Sequence, residues 1–380
     1  MPSHVRVVIA PDKFKGTLPA DGVAAAVAAG LRRTREGGVR QWLEIAECPI
    51  ADGGDGTVAA AVAAGYRFVP VTATGPTGKP VETGFARDER MAVVELASVS
   101  GLSLLPGGEL EPLTANTIGV GELIKAALDD GCRRIVLGVG GSAGTDGGAG
   151  VVRALGARLL DADGAELAPG GAALLSLARL DLGGFDPRVR EAEFVIASDV
   201  DNPLLGPHGA AAVYGPQKGA DEGQVSLLDD AMRHWSRIVE SVLGARFADA
   251  PGAGAAGGTG FAALALLGAR FRPGIDVVMG LTRFAELLPG ADLVITGEGS
   301  LDEQTLHGKG PAGIAAAAAA AGIPVVAVAG RSALPLETLQ ENGFSAAYAL
   351  TDVEPDVARC MSATAEVLEE LAVRVGEDWL

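Results

Sequence analysis

Positive charge is in short supply in this 380-residue chain: 30 Lys and Arg stand against 48 Asp and Glu, for a net charge of −18. No long basic run offsets the excess, which argues against nucleic acid and an anionic membrane as partners. An anionic ligand must then be held by local cations and backbone amides. Lysine is scarcer still, six of the 30 basic residues, and Lys13, Lys15, Lys218 and Lys309 all stand in loops beside Gly, Pro or Asp. In an arginine-biased chain, lysines kept in such places suggest point-charge contacts to phosphate or carboxylate.

Cysteine is nearly absent. Cys48, Cys132 and Cys360 are odd in number, far apart and without a C-x-x-C pair, so neither a disulfide framework nor a zinc site is supported, and a reducing cytoplasm is the expected compartment. The chain enters VRVVIAPD almost at once, without the regions of a signal peptide. One apolar tract, residues 311–330, has the length of a membrane span, but it is mostly alanine and is broken by Gly322 and Pro324. It reads as a buried helix followed by a strand. No repeat of 20 to 50 residues is evident, no G-x-x-x-x-G-K-[ST] occurs, and the protein-kinase signatures are missing. At 48% apolar and 21% charged residues, the length suits two soluble domains, each with its own core.

The stretch 138–150, GVGGSAGTDGGAG, is seven-thirteenths glycine and lies between the apolar runs RRIVL and VVRALGARLL. It reads as a strand, a bare backbone loop and a helix. Such a helix start offers unpaired N–H groups and a positive dipole end, which suit a phosphate or carboxylate; a tight strand-to-helix turn is the other reading. Ser142, Thr145 and Asp146 are the polar side chains of the loop.

Taken in order, VRVVIA is a buried parallel strand ending in PDKFKGTL. A helix follows, with Thr17 as its cap and Val23, Val27 and Leu31 on one face. LEIAECPI is a second strand, ending in ADGGDG before the helix TVAAAVAAG. Both loops lie at strand C-terminal ends, the edge where open α/β sheets bind ligands. From 67 to 98 short alternating runs predict antiparallel strands, with a domain boundary near Gly65. A helix is expected over 117–130, and EFVIASDVDNPLLG is a strand running into a polar turn. An amphipathic helix spans 221–243, with Val225, Leu228, Met232, Trp235 and Val239 on one face. Gly252, Gly254 and Gly257 match G-x-G-x-x-G, but no strand precedes them, so they are not a dinucleotide fingerprint. A second boundary falls near Pro289, after which ADLVITGEG, IPVVAVAG and SAAYALTDV resume a β-α-β rhythm.

Five strand-end loops carry acidic or cationic residues: Asp12 with Lys13 and Lys15, Asp52 with Asp55, Asp146, Asp199, and Glu298 with Asp302 and Lys309. Carboxylates gathered with lysines and bare amides are what a magnesium nucleotide site needs: oxygen ligands for the metal, donors for phosphates and a base for a hydroxyl. The stretch 296–310, TGEGSLDEQTLHGKG, adds Thr296, Gln304, Thr305 and His307, the last a candidate general acid or base.

Together and in order, VVIAPDKFKGTL, PIADGGDGT, GVGGSAGTDGGAG, SDVDNPLLG with YGPQKGA, and DLVITGEGSLDEQTLHGKGP resemble the bacterial type-1 glycerate kinase family, over nearly the whole chain. The resemblance implies a cytoplasmic enzyme that phosphorylates D-glycerate with ATP and Mg2+, with 2-phosphoglycerate favoured over 3-phosphoglycerate. It also implies two α/β domains with the active site between them. One is a flavodoxin-like parallel domain built from both chain ends, 1–65 and 290–380; the other is an inserted mixed domain, 66–289, with antiparallel strands and glycine-rich loops. Family loops often read DSFK and ADGGEGT where this chain has Asp12-Lys13-Phe14-Lys15 and Asp52-Gly53-Gly54-Asp55, and commonly carry Asn where Thr145 stands.

On this footing Asp199, Lys15 and Asp52 are the candidates for catalysis, Asp199 as general base or as the residue that orients the acceptor hydroxyl. Lys13, Gly140, Gly141, Ser142, Asp146, Asn202, Lys218, Thr296, Gly297, Gln304, Thr305 and Lys309 are the candidates for substrate and phosphate binding, and Glu298 and Asp302 for Mg2+. The partners are D-glycerate and ATP, and a homo-oligomer is left open. Three alternatives remain. The first is a kinase of another small hydroxy acid, because the loops specify phosphoryl transfer better than the acceptor. The second is a nucleotide-binding sensor without turnover. The third is an NAD-dependent dehydrogenase, whose acidic ribose ligand should follow the glycine loop by roughly 20 residues; Asp161 and Asp163 lie too near.

Overall fold

The structure is a computed structural model that describes residues 4–34, 42–306 and 310–380. Its strands in chain order are β1 His4–Pro11, β2 Trp42–Glu47, β3 Arg67–Thr74, β4 Pro80–Asp88, β5 Met91–Glu95, β6 Arg134–Gly138, β7 Arg158–Leu160, β8 Arg179–Asp181, β9 Glu193–Ala197, β10 Arg270–Arg272, β11 Leu293–Leu301, β12 Val325–Ser332 and β13 Ala346–Ala349. They fall into two compact units, one of residues 1–52, 59–65 and 274–380, the other of residues 53–58 and 66–273. The sequence places the return to the first unit near Pro289. In the structure that unit begins at Gly274, because Ile275 and Val278 of the helix Gly274–Leu281 belong to the apolar cluster beneath its sheet. The segment 53–58 also groups with the second unit.

The first unit is a five-stranded sheet in the order β13-β12-β11-β1-β2, with every pair parallel. Renumbered within the unit, this is the flavodoxin-like order 2-1-3-4-5, whose switch point lies between the first and third strands. Here those strands are β1 and β11. Both faces are covered, which is why the strands read as unbroken apolar runs. Val7, Ile9, Leu293, Ile295, Val326 and Val328 join one cluster, while Val8, Ala10, Val294, Val325, Ala327 and Ala329 join the other. The alternation has the period of two that a pleated strand imposes.

The helix Ala20–Thr34 buries Val23, Val27 and Leu31 as expected. It is not capped by Thr17, whose hydroxyl donates to the Phe14 carbonyl and closes the turn before the helix. Gly30 lets this helix lie against Thr364–Trp379, since a Cβ there would strike the Glu369 carbonyl and Ala372 Cβ. The alanine-rich tract is the helix Gly310–Ala320 followed by β12, and no helix of the described residues is long and apolar enough to cross a membrane.

The second unit holds a six-stranded sheet in the order β10-β9-β6-β5-β4-β3. β3, β4 and β5 are antiparallel, the character expected over 67–98, and β5 then pairs parallel with β6. Glu95, Gly138, Ala197 and Arg272 share one row at the C-terminal edge of the parallel part. The helix Glu222–Leu243 begins at an Asp221–Gln224 capping box and buries Leu228, Met232, Trp235 and Val239. The run VVRALGARLL is not one helix. The helix Ala149–Ala154 stops after six residues and the rest supplies β7, because Gly156, at φ 99°, packs against the Gly184 carbonyl.

Gly30→Val should lower stability by about 1–3 kcal/mol, the usual penalty of overpacking. A shift of the urea midpoint at unchanged slope would report it.

Candidate functional site

In the first unit the C-terminal ends of β1 and β11 form the switch point. The Asp12 amide donates to the Gly297 carbonyl at 2.8 Å, carrying the pairing of the two strands one residue past Pro11. Ile50 donates to the Pro11 carbonyl at 2.9 Å, which brings the loop after β2 to the same end. Asp12 is only 8% exposed. Burial, above all, and then the Asp52 and Glu298 carboxylates push its pKa up to about 7, against the opposing pull of Lys13 and of the Lys13 amide that donates to Oδ1 at 2.6 Å. Asp12, Lys13, Asp52 and Glu298 therefore share one electrostatic neighbourhood. Gly310, which opens the helix Gly310–Ala320, has its Cβ position 3.7 Å from Asp12 Oδ2.

Phe14 is buried and pairs with Leu18 across a turn, leaving Lys15 exposed at its tip beside Gly16 at φ 83°. Other residues expected at this edge have structural work. Thr296 is fully buried and donates to the Ala10 carbonyl at 2.7 Å, and Gly297 is a glycine because a Cβ would strike the Val328 carbonyl. Thr305, 1% exposed, donates to Glu298 Oε1 at 2.6 Å and accepts from the Asp302 amide. Asp302 caps the turn by accepting from the Gln304 amide at 2.9 Å, and Gln304 is exposed. Asp302 is thus a turn residue, and among the described residues no group of three or more His, Cys, Asp or Glu could hold a metal by itself. Lys309 and His307 lie outside the described residues.

In the second unit the glycine loop divides into two parts. Gly144, Gly147, Gly148 and Gly150 are buried, and their Cβ positions abut the Ala115 carbonyl, Trp235, Ala262 and the Ile118 amide. The Gly147 amide donates to the Gly257 carbonyl, so the loop packs backbone to backbone on the second glycine stretch. There Ala256, Gly257 and Gly258 all have positive φ.

Asp146 is fully buried. It accepts from the Thr117 amide and hydroxyl, the Gly148 amide and the Gly150 amide at 2.9–3.2 Å. The Thr117 hydroxyl accepts in turn from the Val151 amide. The amides at the start of the helix Ala149–Ala154 are therefore taken by a carboxylate of the chain itself, which overturns the expectation that they await a phosphate. Burial pushes the Asp146 carboxyl up and these donors pull it back; a set made only of donors fits the ionised form.

Lys218, expected in a ligand-facing loop, is 1% exposed. Its ammonium donates to Ser142 Oγ at 2.8 Å and to the Gly144 carbonyl. Burial drives its pKa down to about 7, opposed by the Asp146 charge. Gly140 and Gly141 remain the accessible part of the loop, with Gly141 at φ 74°. With Ser142 they line a pocket of about 120 Å³ together with Ser198, Tyr214, Gln217 and the apolar Leu102, Val139, Val200, Ala255 and Ala256. Asp199 is exposed two residues beyond β9. Asn202 is held by Tyr214, whose hydroxyl donates to Oδ1 at 2.7 Å, and by the His208 carbonyl.

The segment 53–58 lies across this edge. Gly53, at φ 84°, has its Cβ position 2.6 Å from the Ala197 carbonyl, and that of Gly140 is 2.8 Å from Gly54 Cα. Buried Glu95 accepts from the Gly56 and Val58 amides at 3.1 Å. Sequence reasoning had no signal for Glu95; Ser198, Tyr214 and Gln217 lie within SDVDNPLLG and YGPQKGA but were not singled out there. Asp12 it could have weighted more, as the residue that ends a buried parallel strand.

The model of the glycerate kinase family matches residues 7–380. A glycerate kinase of Bacillus subtilis (strain 168) is 43% identical over 97% of this chain and 96% of its own length. A glycerate 2-kinase of Escherichia coli (strain K12) is 41% identical over 91% of this chain and 90% of its own. A crystal structure of a putative glycerate kinase 2 from Salmonella typhimurium LT2 superposes with a TM-score of 0.84 at 39% identity, covering 99% of this chain and 98% of that one.

Asp12 generates a stability prediction. Folded, its carboxyl keeps a proton up to about pH 7, while the unfolded chain sheds it near the ordinary 3.8. Folding thus binds a proton between these values, and stability falls as pH rises through them. Asp12→Asn should remove that slope and, in chelator at pH 8, raise stability by roughly 1–3 kcal/mol; denaturant melts from pH 4 to 8 will check both.

Proposed function

Because the chain belongs to the glycerate kinase family, we propose that it transfers the terminal phosphoryl group of ATP to D-glycerate, with the 2-hydroxyl as acceptor. The observation that carries this reading is the family match across residues 7–380. The E. coli relative named as a glycerate 2-kinase supports the choice of hydroxyl. The buried, free thiols of Cys48, Cys132 and Cys360 suit the cytoplasm, where ATP is made.

The acidic edge of the first unit supports a role for Mg2+. This ion takes one or two carboxylates, several waters and substrate phosphates in place of an all-protein cage. Asp12, Asp52 and Glu298 are the donors for it; Asp302 is left to its turn. When bound, the ion neutralises phosphate charge. A carboxyl whose charged form is penalised by burial and by two like neighbours is one that a cation relieves. Lys13 and Lys15, on the loop that follows Asp12, supply positive charge to anionic substrate groups. Asp199, exposed at the end of β9, serves as general base or orients the acceptor hydroxyl. In a loose phosphoryl-transfer transition state the hydroxyl proton leaves late, so positioning is the larger part of that role.

Coupled assays should find ADP release that needs D-glycerate and a divalent cation together, stops in excess chelator, and leaves 2-phosphoglycerate identifiable by phosphorus NMR. Phosphorylation of a different hydroxy acid in preference to D-glycerate would move the assignment within the kinases, and hydride transfer to NAD would end it. Asp199→Asn, which preserves size and one acceptor oxygen, should fold and lose turnover by roughly 100-fold or more, the magnitude expected of a general base. Near-normal turnover would pass the role to another carboxylate.

A further inference from the structure

The 120 Å³ pocket of the second unit is small beside the roughly 300–1,000 Å³ of sites that hold drug-sized ligands. Its size suits a three-carbon acid better than a nucleotide. Its polar groups have a definite orientation. Ser142 Oγ accepts from Lys218 Nζ at 2.8 Å, and Ser198 Oγ accepts from the Val200 amide at 3.2 Å. A serine hydroxyl has one proton to give, and among the described residues no protein acceptor takes either of these two. Both are therefore donors available to a ligand in the pocket. Opposite in character, Leu102, Val139, Val200, Ala255 and Ala256 offer a wall for a short carbon chain. Ala256 is held in the left-handed region at φ 51°, a conformation that L-residues avoid and that collects at ligand sites.

Behind Ser142 stands a buried cation. The atoms bonded to the Lys218 ammonium, Ser142 Oγ and the Gly144 carbonyl, are both neutral. The charged group that acts on it is Asp146, whose carboxylate already accepts from Thr117, Gly148 and Gly150. Positive potential relayed through a hydroxyl whose proton is free for a ligand selects an anion, and the pocket volume selects a small one.

We propose that this pocket seats the carboxylate of the small hydroxy acid, with Ser142 donating the hydrogen bond to it and Lys218 acting through Ser142 as a positioning residue. The inference rests on the kinase reading above and adds to it the subsite of the acceptor. The Asp199 carboxylate follows Ser198, a lining residue, directly in the chain, which fits an acceptor held here by its carboxylate with its hydroxyls towards the end of β9.

Calorimetric titration of the whole protein with D-glycerate, and separately with inorganic phosphate, tests this alongside steady-state kinetics of Ser142→Ala and Lys218→Met. Ser142→Ala should weaken D-glycerate binding about 10- to 100-fold, the worth of one charge-assisted hydrogen bond. KM for glycerate should rise accordingly, with a smaller change in kcat and none in KM for ATP. Lys218→Met, which keeps the length of the stem, should do the same. It should also abolish a pH dependence that a structural role would not create: wild-type affinity for glycerate falls as pH rises above about 7, where the ammonium of the empty site loses its proton. Should Lys218→Met fail to fold, the serine variant and the wild-type pH profile decide. Unchanged glycerate binding in folded Ser142→Ala, in an enzyme that phosphorylates glycerate, would overturn the subsite and leave the activity standing. Serine-dependent binding of phosphate without binding of glycerate would overturn it in favour of a phosphate site. Serine-dependent glycerate binding without ADP release would uphold the subsite and remove the kinase reading.

Discussion

Everything at the glycine loop depends on the carboxyl group of Asp146, buried where water cannot solvate it and supplied with hydrogen bonds by backbone amides and one hydroxyl. An isolated charge in that position would be intolerable. The loop meets the requirement by wrapping around it, and glycines are what permit the wrap. Gly147 and Gly148 need positive φ, and Gly144 and Gly150 need room beside neighbouring backbone. Lys218 then closes the loop from the other side. Removing the Asp146 carboxyl would leave the donors gathered around it buried without an acceptor, which is destabilising. The loop is therefore rigid where it is buried, and that rigidity fixes Gly140, Gly141 and Ser142 at its mouth.

Each unit gathers its chemistry on the same kind of edge for the same reason. Parallel strands all end on one side, so the loops that follow them converge there. In the first unit this brings Asp12, Asp52 and Glu298 within electrostatic reach of one another. In the second it aligns Glu95, Gly138 and Ala197 in register, with Gly140 to Ser142 and Ser198 to Asp199 just beyond. The gathering of like charge at the first edge opposes stability. A carboxyl raised to about 7 marks an arrangement that folding alone would avoid, and such arrangements collect where charge is put to use.

The boundary between buried and accessible parts of the glycine loop was not legible from composition, because glycine has the same sequence signature whether it admits a ligand or a neighbouring backbone. Lys218 shows the same limit. A lysine beside Gly and Pro reads as a loop residue open to anions, and its burial became visible only once Ser142, Gly144 and Gly257 were seen around it. Thr296, Thr305 and Asp302 are further examples: their polar groups look like ligand donors in a glycine-rich run, yet they serve the Ala10 carbonyl, Glu298 and a turn amide.

What the sequence determined by itself was whatever depends on period and composition. Continuous apolar runs that alternate between two clusters required strands buried on both faces, and short alternating runs over 67–98 required antiparallel pairing. The spaced acidic loops at strand ends, with the family resemblance they carry, were enough to reach the kinase family. Tertiary structure alone decided which polar groups face one another, because hydrogen-bond partners separated by tens of residues, such as Thr117 with Asp146 or Ser142 with Lys218, are chosen by packing and leave no periodic trace in the chain.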